Sequence, residues 1–213
     1  KERDNLMSSP KITIVDYGMG NIWSVSSALN FLNIKNKVTS DPHEILQSEC
    51  LILPGVGSFR EAMEMINNNG IDQALNDSIN KGTKILGICL GMQLLGSSSE
   101  EDGLTSGLNF FDRKVEPFSF QDLPNIKLPH IGFNSVSADE KSNLFKNINT
   151  ESDFYFVHSY RMESDNTDQG NGTCFYGEEF LASFECDNVF GTQFHPEKSQ
   201  TNGIKLLKNF LEI

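Results

Sequence analysis

The sequence predicts an α/β fold in which helices cover both faces of a mostly parallel sheet, with antiparallel strands added in the second half. Three observations carry this. Buried apolar runs alternate with amphipathic helical stretches through residue 98. Beyond residue 103 the rhythm changes to short, β-rich segments separated by turn residues. The 213 residues include 38% hydrophobic and 22% charged side chains, the composition of an ordinary globular domain. A domain of this size buries roughly 70% of its unfolded surface and needs neither disulfide nor metal to hold a core.

The elements follow in order. Residues 1–9 (KERDNLMSS) read as a disordered N-terminus or a vector-derived remnant, with Met7 a plausible native start. A single domain is expected over 10–213. KITIVDYG (11–18) reads as a buried strand ending in a glycine turn. The helix after it places Ile22, Val25, Leu29 and Leu32 on one face, with Asn21 as its N-cap. A strand at 36–38 and a short acidic helix lead to the buried strand CLILPG, which breaks into a Gly/Pro loop. Ser58 caps the helix FREAMEMINN, and another helix spans 71–80. KILGI (84–88) is a strand that enters the helix CLGMQLLG directly. After the polar loop SSSEEDG (97–103), strands are expected at 114–117, 134–136, 153–160, 172–176, 181–184 and 189–194. An amphipathic helix with Ile204, Leu207 and Phe210 at helical spacing closes the chain.

Charge narrows the function. Seventeen basic against 29 acidic residues leave a net charge of −12, which repels phosphate backbones and anionic lipid. The longest apolar stretch, residues 85–92, is too short to span a bilayer. The first residues lack the apolar core of a signal peptide, so the chain is expected in the cytoplasm. Cys50, Cys89, Cys174 and Cys186 are far apart, with no CxxC pair. The four histidines are equally scattered, so no metal site is expected.

One cysteine stands in a chemical context. In Gly87-Ile88-Cys89-Leu90-Gly91 an apolar strand turns at once into a helix. This is the elbow pattern of hydrolytic nucleophiles, with cysteine at its centre. The glycines permit the turn, and the helix N-terminus favours a thiolate. A buried thiol at a strand–helix junction is the alternative reading of the same residues. The other three cysteines have no such setting and read as structural. In FGTQFHPEKS (190–199) a strand carrying His195 and Glu197 two residues apart would put both side chains on one face. Glu197 could then hold one imidazole nitrogen and leave the other for catalysis. The bare turn LPGVGSF (53–59) could offer backbone N–H groups to an oxyanion.

These residues match a known pattern. GICLGMQ (87–93), HPEKS (195–199) and PGVG (54–57) resemble the class I glutamine amidotransferases, whose triad is Cys-His-Glu and whose fold is a three-layer α/β/α sandwich. PGVGSF, DYGMGN (16–21), PHIGFN (129–134) and FYFVHSY (154–160) further resemble the HisH-type glutaminase subunit of imidazole glycerol phosphate synthase. The resemblance implies that the chain releases ammonia from L-glutamine without a cofactor. It passes the ammonia to a HisF-type (βα)8-barrel subunit, which makes imidazole glycerol phosphate and AICAR in histidine synthesis. Carried over by motif, Cys89 is the nucleophile, His195 the general base and acid, and Glu197 its orienter. Leu90 N–H, with an N–H from Val56 or Gly57, forms the oxyanion hole; Gly55, Gln93, His158, Ser159 and Tyr160 hold the substrate. Asn21, Trp23, Phe133, Tyr155 and Lys198 belong to the docking face. The family usually has a tryptophan at Phe133 and a smaller or basic residue at Trp23. Those departures bring in an alternative partner, a HisF-like subunit making surface-polysaccharide amino sugars. A stand-alone cysteine hydrolase and a silent scaffold subunit are the remaining readings.

Overall fold

The computed structural model describes residues 12–119, 126–164 and 170–213; the segment expected to be disordered, 1–9, lies outside them. The first half alternates as the apolar pattern requires: β1 (Ile12–Val15), α1 (Ile22–Phe31), β2 (Asn36–Thr39), α2 (Pro42–Ile45), β3 (Cys50–Gly55), α3 (Phe59–Asn68), α4 (Ile71–Asn80), β4 (Lys84–Cys89) and α5 (Leu90–Leu94). Side-chain caps start three of these helices. Asn21 accepts from Ser24 N–H, Asp41 from His43 N–H and Ser58 from Glu61 N–H. The second half holds β5 (Ser98–Ser99), β6 (Thr105–Ser106), β7 (Lys114–Pro117), β8 (His130–Ala138), β9 (Glu151–His158), β10 (Tyr160–Glu163), β11 (Gly172–Tyr176), β12 (Glu178–Cys186), β13 (Val189–Thr192) and α6 (Gln200–Glu212).

Among the described residues these strands form one sheet in the order β2-β1-β3-β4-β13-β12-β10-β7-β5-β6. The first five run parallel, and β12 turns the pairing antiparallel. A branch, β11-β8-β9, leaves the sheet from β12. The central strands divide two cores by their period-2 alternation. Ile14, Ile52, Leu86 and Ile88 face the core under α1 and α6, which Val25, Leu29, Leu207 and Phe210 complete. Val15, Leu51, Leu53 and Ile85 face the opposite core, filled by Phe59 and Ile66 of α3 and Leu75 of α4. Both sheet faces are therefore covered by helices. Burying one such leucine or isoleucine contributes about 1.5–3 kcal/mol, so each layer is held by many comparable contacts.

Of the boundaries that differ from expectation, two bear on the site. The strand expected over 153–160 breaks at Ser159 into β9 and β10, which join different parts of the sheet. The strand expected over 189–194 ends at Thr192, so His195 and Glu197 are not on a strand. They sit on a 3₁₀ turn, Pro196–Lys198. Pro196 cannot donate to a ladder. The His195 carbonyl instead accepts from Ser199 Oγ (2.6 Å) and Lys198 N–H (3.1 Å), closing the turn.

Candidate active site

The glycines around Cys89 are there because the backbone needs the space. β4 lies between β3 and β13, and its last residue takes φ 56° and ψ −112°, a region costly for any residue with a Cβ. A Cβ on Gly91 would overlap the Leu53 carbonyl, and one on Gly87 would come within 2.7 Å of the Gly91 backbone. With both positions bare, α5 starts directly against β3 and the Cys89 side chain is turned off the strand. Strain of this kind survives only where the surrounding packing enforces it. Here it aims the sulfur toward Val157 O (3.7 Å) and Gln193 Nε2 (3.8 Å).

The 3₁₀ turn brings the other two members in. His195 Nδ1 donates to Glu197 Oε1 at 2.8 Å, and the two side chains are only 2% and 1% exposed. The expected pairing is present, produced by a turn rather than by the strand alternation. His195 Nε2 is buried and makes no hydrogen bond to the described protein atoms. Burial pushes the imidazole down, but the negative fields of Cys89 and then Glu197 outweigh it and raise its pKa to about 10. The other cysteines differ. Burial pushes the thiols of Cys50 and Cys174 up to about 12, which keeps them protonated and inert.

A cavity of about 230 Å3 opens at Cys89. Its lining includes Val56, Gly57, Leu90, Gln93, Glu101 and the 157–160 segment. Leu90 supplies the first N–H of α5, which has no partner within the helix. Val56 and Gly57 form part of one wall, with Gly57 at φ +104°. Gly55 is buried at the end of β3, where a Cβ would collide with Tyr17 Oη, and it permits close packing there; it is not among the residues lining this cavity. His158 lines the cavity, yet its ring is committed inward. Nδ1 donates to Tyr160 O (2.8 Å), so Nε2 accepts from His130 Nδ1 (3.0 Å). Any contact it makes with a ligand must therefore come from its backbone.

Glu101, Tyr17 and Gln193 also belong here, and sequence reasoning missed them. Glu101 lines the cavity and accepts from Phe59 N–H (2.9 Å), with its carboxyl pKa raised mainly by burial. It had read only as part of a polar loop. Tyr17 sits beneath the elbow, its hydroxyl pKa pushed up by burial and by the charges of Cys89 and Asp16. Gln193 precedes the His195 turn in a segment that had read as plain strand.

Phe133 and Tyr155, register partners on β8 and β9, contact edge to face at 5.5 Å. Lys198 Nζ lies 5.8 Å from the Tyr155 ring. Ile131, 60% exposed, extends this ribbon two residues along β8 and had not been anticipated. Trp23 is 83% exposed and lines a shallow depression shared with Ser24, Ser27, Ile204 and Glu197. Asn21 stands beside it as the cap of α1.

A three-layer fold with a strained cysteine elbow and a buried His–Glu pair defines a glutamine amidotransferase of class I. Residues 13–213 match the family described as glutamine amidotransferase class-I, and the chain belongs to it. Solved structures agree on the fold: one entitled crystal structure of glutamine amidotransferase superposes with TM-score 0.71 at 18% identity, covering 94% of this chain and 97% of that one. The PurLQS structure from Thermotoga maritima gives 0.70 at 17% identity, covering 96% and 98%.

Sequence relatives define the branch. The imidazole glycerol phosphate synthase subunit HisH 1 of Parasynechococcus marenigrum is 46% identical over 94% of this chain and 97% of its own. The HisH subunit of Moorella thermoacetica is 45% identical over 95% and 94%. The chain is a member of the HisH family.

Proposed function

We propose that this chain is the glutaminase subunit of imidazole glycerol phosphate synthase, hydrolysing L-glutamine to glutamate and ammonia for histidine biosynthesis. The observation that carries the reading is Cys89 at φ 56° on the floor of the cavity, with the buried His195–Glu197 pair beside it. Membership of the class I glutamine amidotransferases supports glutamine as the substrate.

The groups suit a covalent route. His195, its pKa raised, rests as the imidazolium, and the sulfur reacts as the thiolate beside it. The sulfur attacks the side-chain carbonyl carbon of glutamine, and the oxygen that becomes negative is held by Leu90 N–H and an N–H of the Val56-Gly57 turn. As the C–N bond breaks, Nε2 of His195 gives its proton to the departing nitrogen, which leaves as ammonia. The neutral imidazole then takes a proton from water, the hydroxide adds to the thioester, and the thiolate departs with glutamate. Glu197 keeps Nδ1–H engaged throughout and stabilises the imidazolium. Glu101, a carboxylate at the cavity, complements the α-ammonium of the substrate. Gln93 and the backbone of 158–160 complete the cradle.

The partner is a HisF-type (βα)8-barrel subunit, forming a heterodimer in the cytoplasm. Among the described residues no helix is long and apolar enough to cross a membrane. The docking face is the Ile131–Phe133–Tyr155 ribbon with Lys198 and Trp23. It carries aromatic anchors of the kind that dominate interface energies. Ammonia released into water is protonated and wasted, so firing is reserved for the docked state. The Val56-Gly57 turn serves as the gate.

An electrophilic glutamine analogue tests the assignment. It should label Cys89 alone in peptide mapping, because Cys50 and Cys174 stay protonated. Label on any other cysteine rejects the reading.

A further inference from the structure

The carbonyl oxygen of Tyr160, at the start of β10, accepts two hydrogen bonds. One comes from Gln93 Nε2 (2.9 Å) and one from His158 Nδ1 (2.8 Å). A carbonyl can only accept, so the Gln93 amide must present its nitrogen here and cannot be flipped. That same nitrogen lies 2.9 Å from Gln193 Oε1, which spends its second hydrogen and fixes the Gln193 amide in turn. The NH2 of Gln193 is left facing Cys89, with Nε2 3.8 Å from Sγ. One backbone carbonyl thus orients two side-chain amides and aims a donor at the reacting sulfur. Gln193 is completely buried, so nothing in solvent competes for that N–H. Its backbone is also held, by Gln193 N–H donating to Ala182 O (2.8 Å) on β12.

We propose that Gln193 is a positioning residue for the nucleophile: it holds an N–H on the Cys89 sulfur, favouring the thiolate, while its oxygen locks the amide of Gln93. The role rests on Cys89 being the nucleophile, as read above. It adds a neutral donor to the ionic stabilisation from His195. A neutral donor does not change with the protonation of the imidazole, so its contribution to the thiolate is the same whatever the state of His195. The sulfur is the leaving group in the second half of the reaction, and a fixed N–H steadies the charge it takes on as it departs. The lock on Gln93 has its own consequence. With its nitrogen tied to Tyr160 and Gln193, the side chain offers the cavity an acceptor, which suits a carboxamide NH2 and disfavours the carboxylate of the glutamate product.

The test is the pH dependence of iodoacetamide alkylation at Cys89, followed by peptide mapping in the unliganded chain. Glutamine turnover is not needed, so this result stands apart from the analogue labelling. Gln193→Met keeps side-chain length and loses both hydrogen bonds. The Cys89 alkylation rate at pH 6 should fall about tenfold, the low end for a bond to a charged acceptor. The gap should close to about twofold at pH 9.5. Gln193→Glu, which keeps the acceptor for Gln93 but removes the donor, should fall at least as far and serves if the methionine variant does not fold. A wild-type alkylation profile in the folded variant overturns the proposal. An equal fall at every pH, which reports access to the sulfur and not its ionisation, overturns it as well.

Discussion

At Cys89 a strained φ and ψ, two obligatory glycines and a buried imidazole meet on one atom, and each makes a separate demand on the sequence. The glycines were legible because an elbow leaves a local signature of five residues. His195 and Glu197 were legible as a pair, although a turn and not a strand joins them. Glu101 and Gln193 were not, because their roles depend on contacts 42 and 104 residues away in sequence. No spacing rule spans such distances. The two members of the pair should differ in kinetics. His195→Ala removes both acid and base and should lower kcat at least ~10³-fold, about 4 kcal/mol of barrier. Glu197→Gln keeps a hydrogen-bond acceptor on the imidazole but no longer offsets its charge, and should lose about 10–100-fold. Steady-state ammonia release measures both, and full activity in either variant contradicts the triad.

The elements explain how a docking event can reach that atom. Tyr155 points its ring outward beside Phe133, while its backbone clamps the triad turn from both sides. Its N–H donates to Ser199 Oγ (2.9 Å), and its carbonyl accepts from His195 N–H (2.8 Å). One residue of β9 therefore belongs both to the exposed ribbon and to the frame of His195. The parallel half of the sheet and its helices were readable from periodicity, since buried strands and amphipathic helices alternate there. The second half was harder. β5, β6 and β10 are short strands whose pairing is set by tertiary contacts, and the β9–β10 break falls inside one continuous aromatic run. Two outcomes belong to this scale. Phe133→Ala and Trp23→Ala should each weaken the complex with a HisF-type subunit about tenfold or more, read by titration calorimetry; unchanged affinity would move the docking face elsewhere. Gly91→Ala forces a methyl into the Leu53 carbonyl and should destabilise the fold by about 2–4 kcal/mol in urea unfolding. A wild-type midpoint there would mean that α5 is not pressed against β3.

For the whole molecule, the buried histidines tie stability to pH in opposite directions. Burial lowers His130 to about 4, and burial together with the neighbouring imidazoles lowers His158 to about 3. Both stay neutral in the fold, so the unfolded chain takes up their protons first as pH drops below the ordinary value near 6.5. Their contribution is complete above 6.5 and is lost toward pH 4. His195 has the reverse sign: its raised value makes its contribution complete below 6.5 and lost as pH rises through about 10. Urea unfolding should therefore give about 2–4 kcal/mol less stability at pH 5 than at pH 7, and an equal or higher value at pH 5 would mean that these rings are not held neutral. The same economy of charge governs the chemistry, since a protonated His195 is what the leaving nitrogen needs. The most direct measurement is ammonia release from glutamine, for the isolated chain and again with a HisF-type subunit carrying its own ligand. Hydrolysis should be weak for the chain alone and rise at least ~100-fold in the liganded complex, about 2.7 kcal/mol of transition-state stabilisation. Full-rate hydrolysis by the isolated chain, indifferent to any barrel partner, would contradict partner-gated glutaminase chemistry.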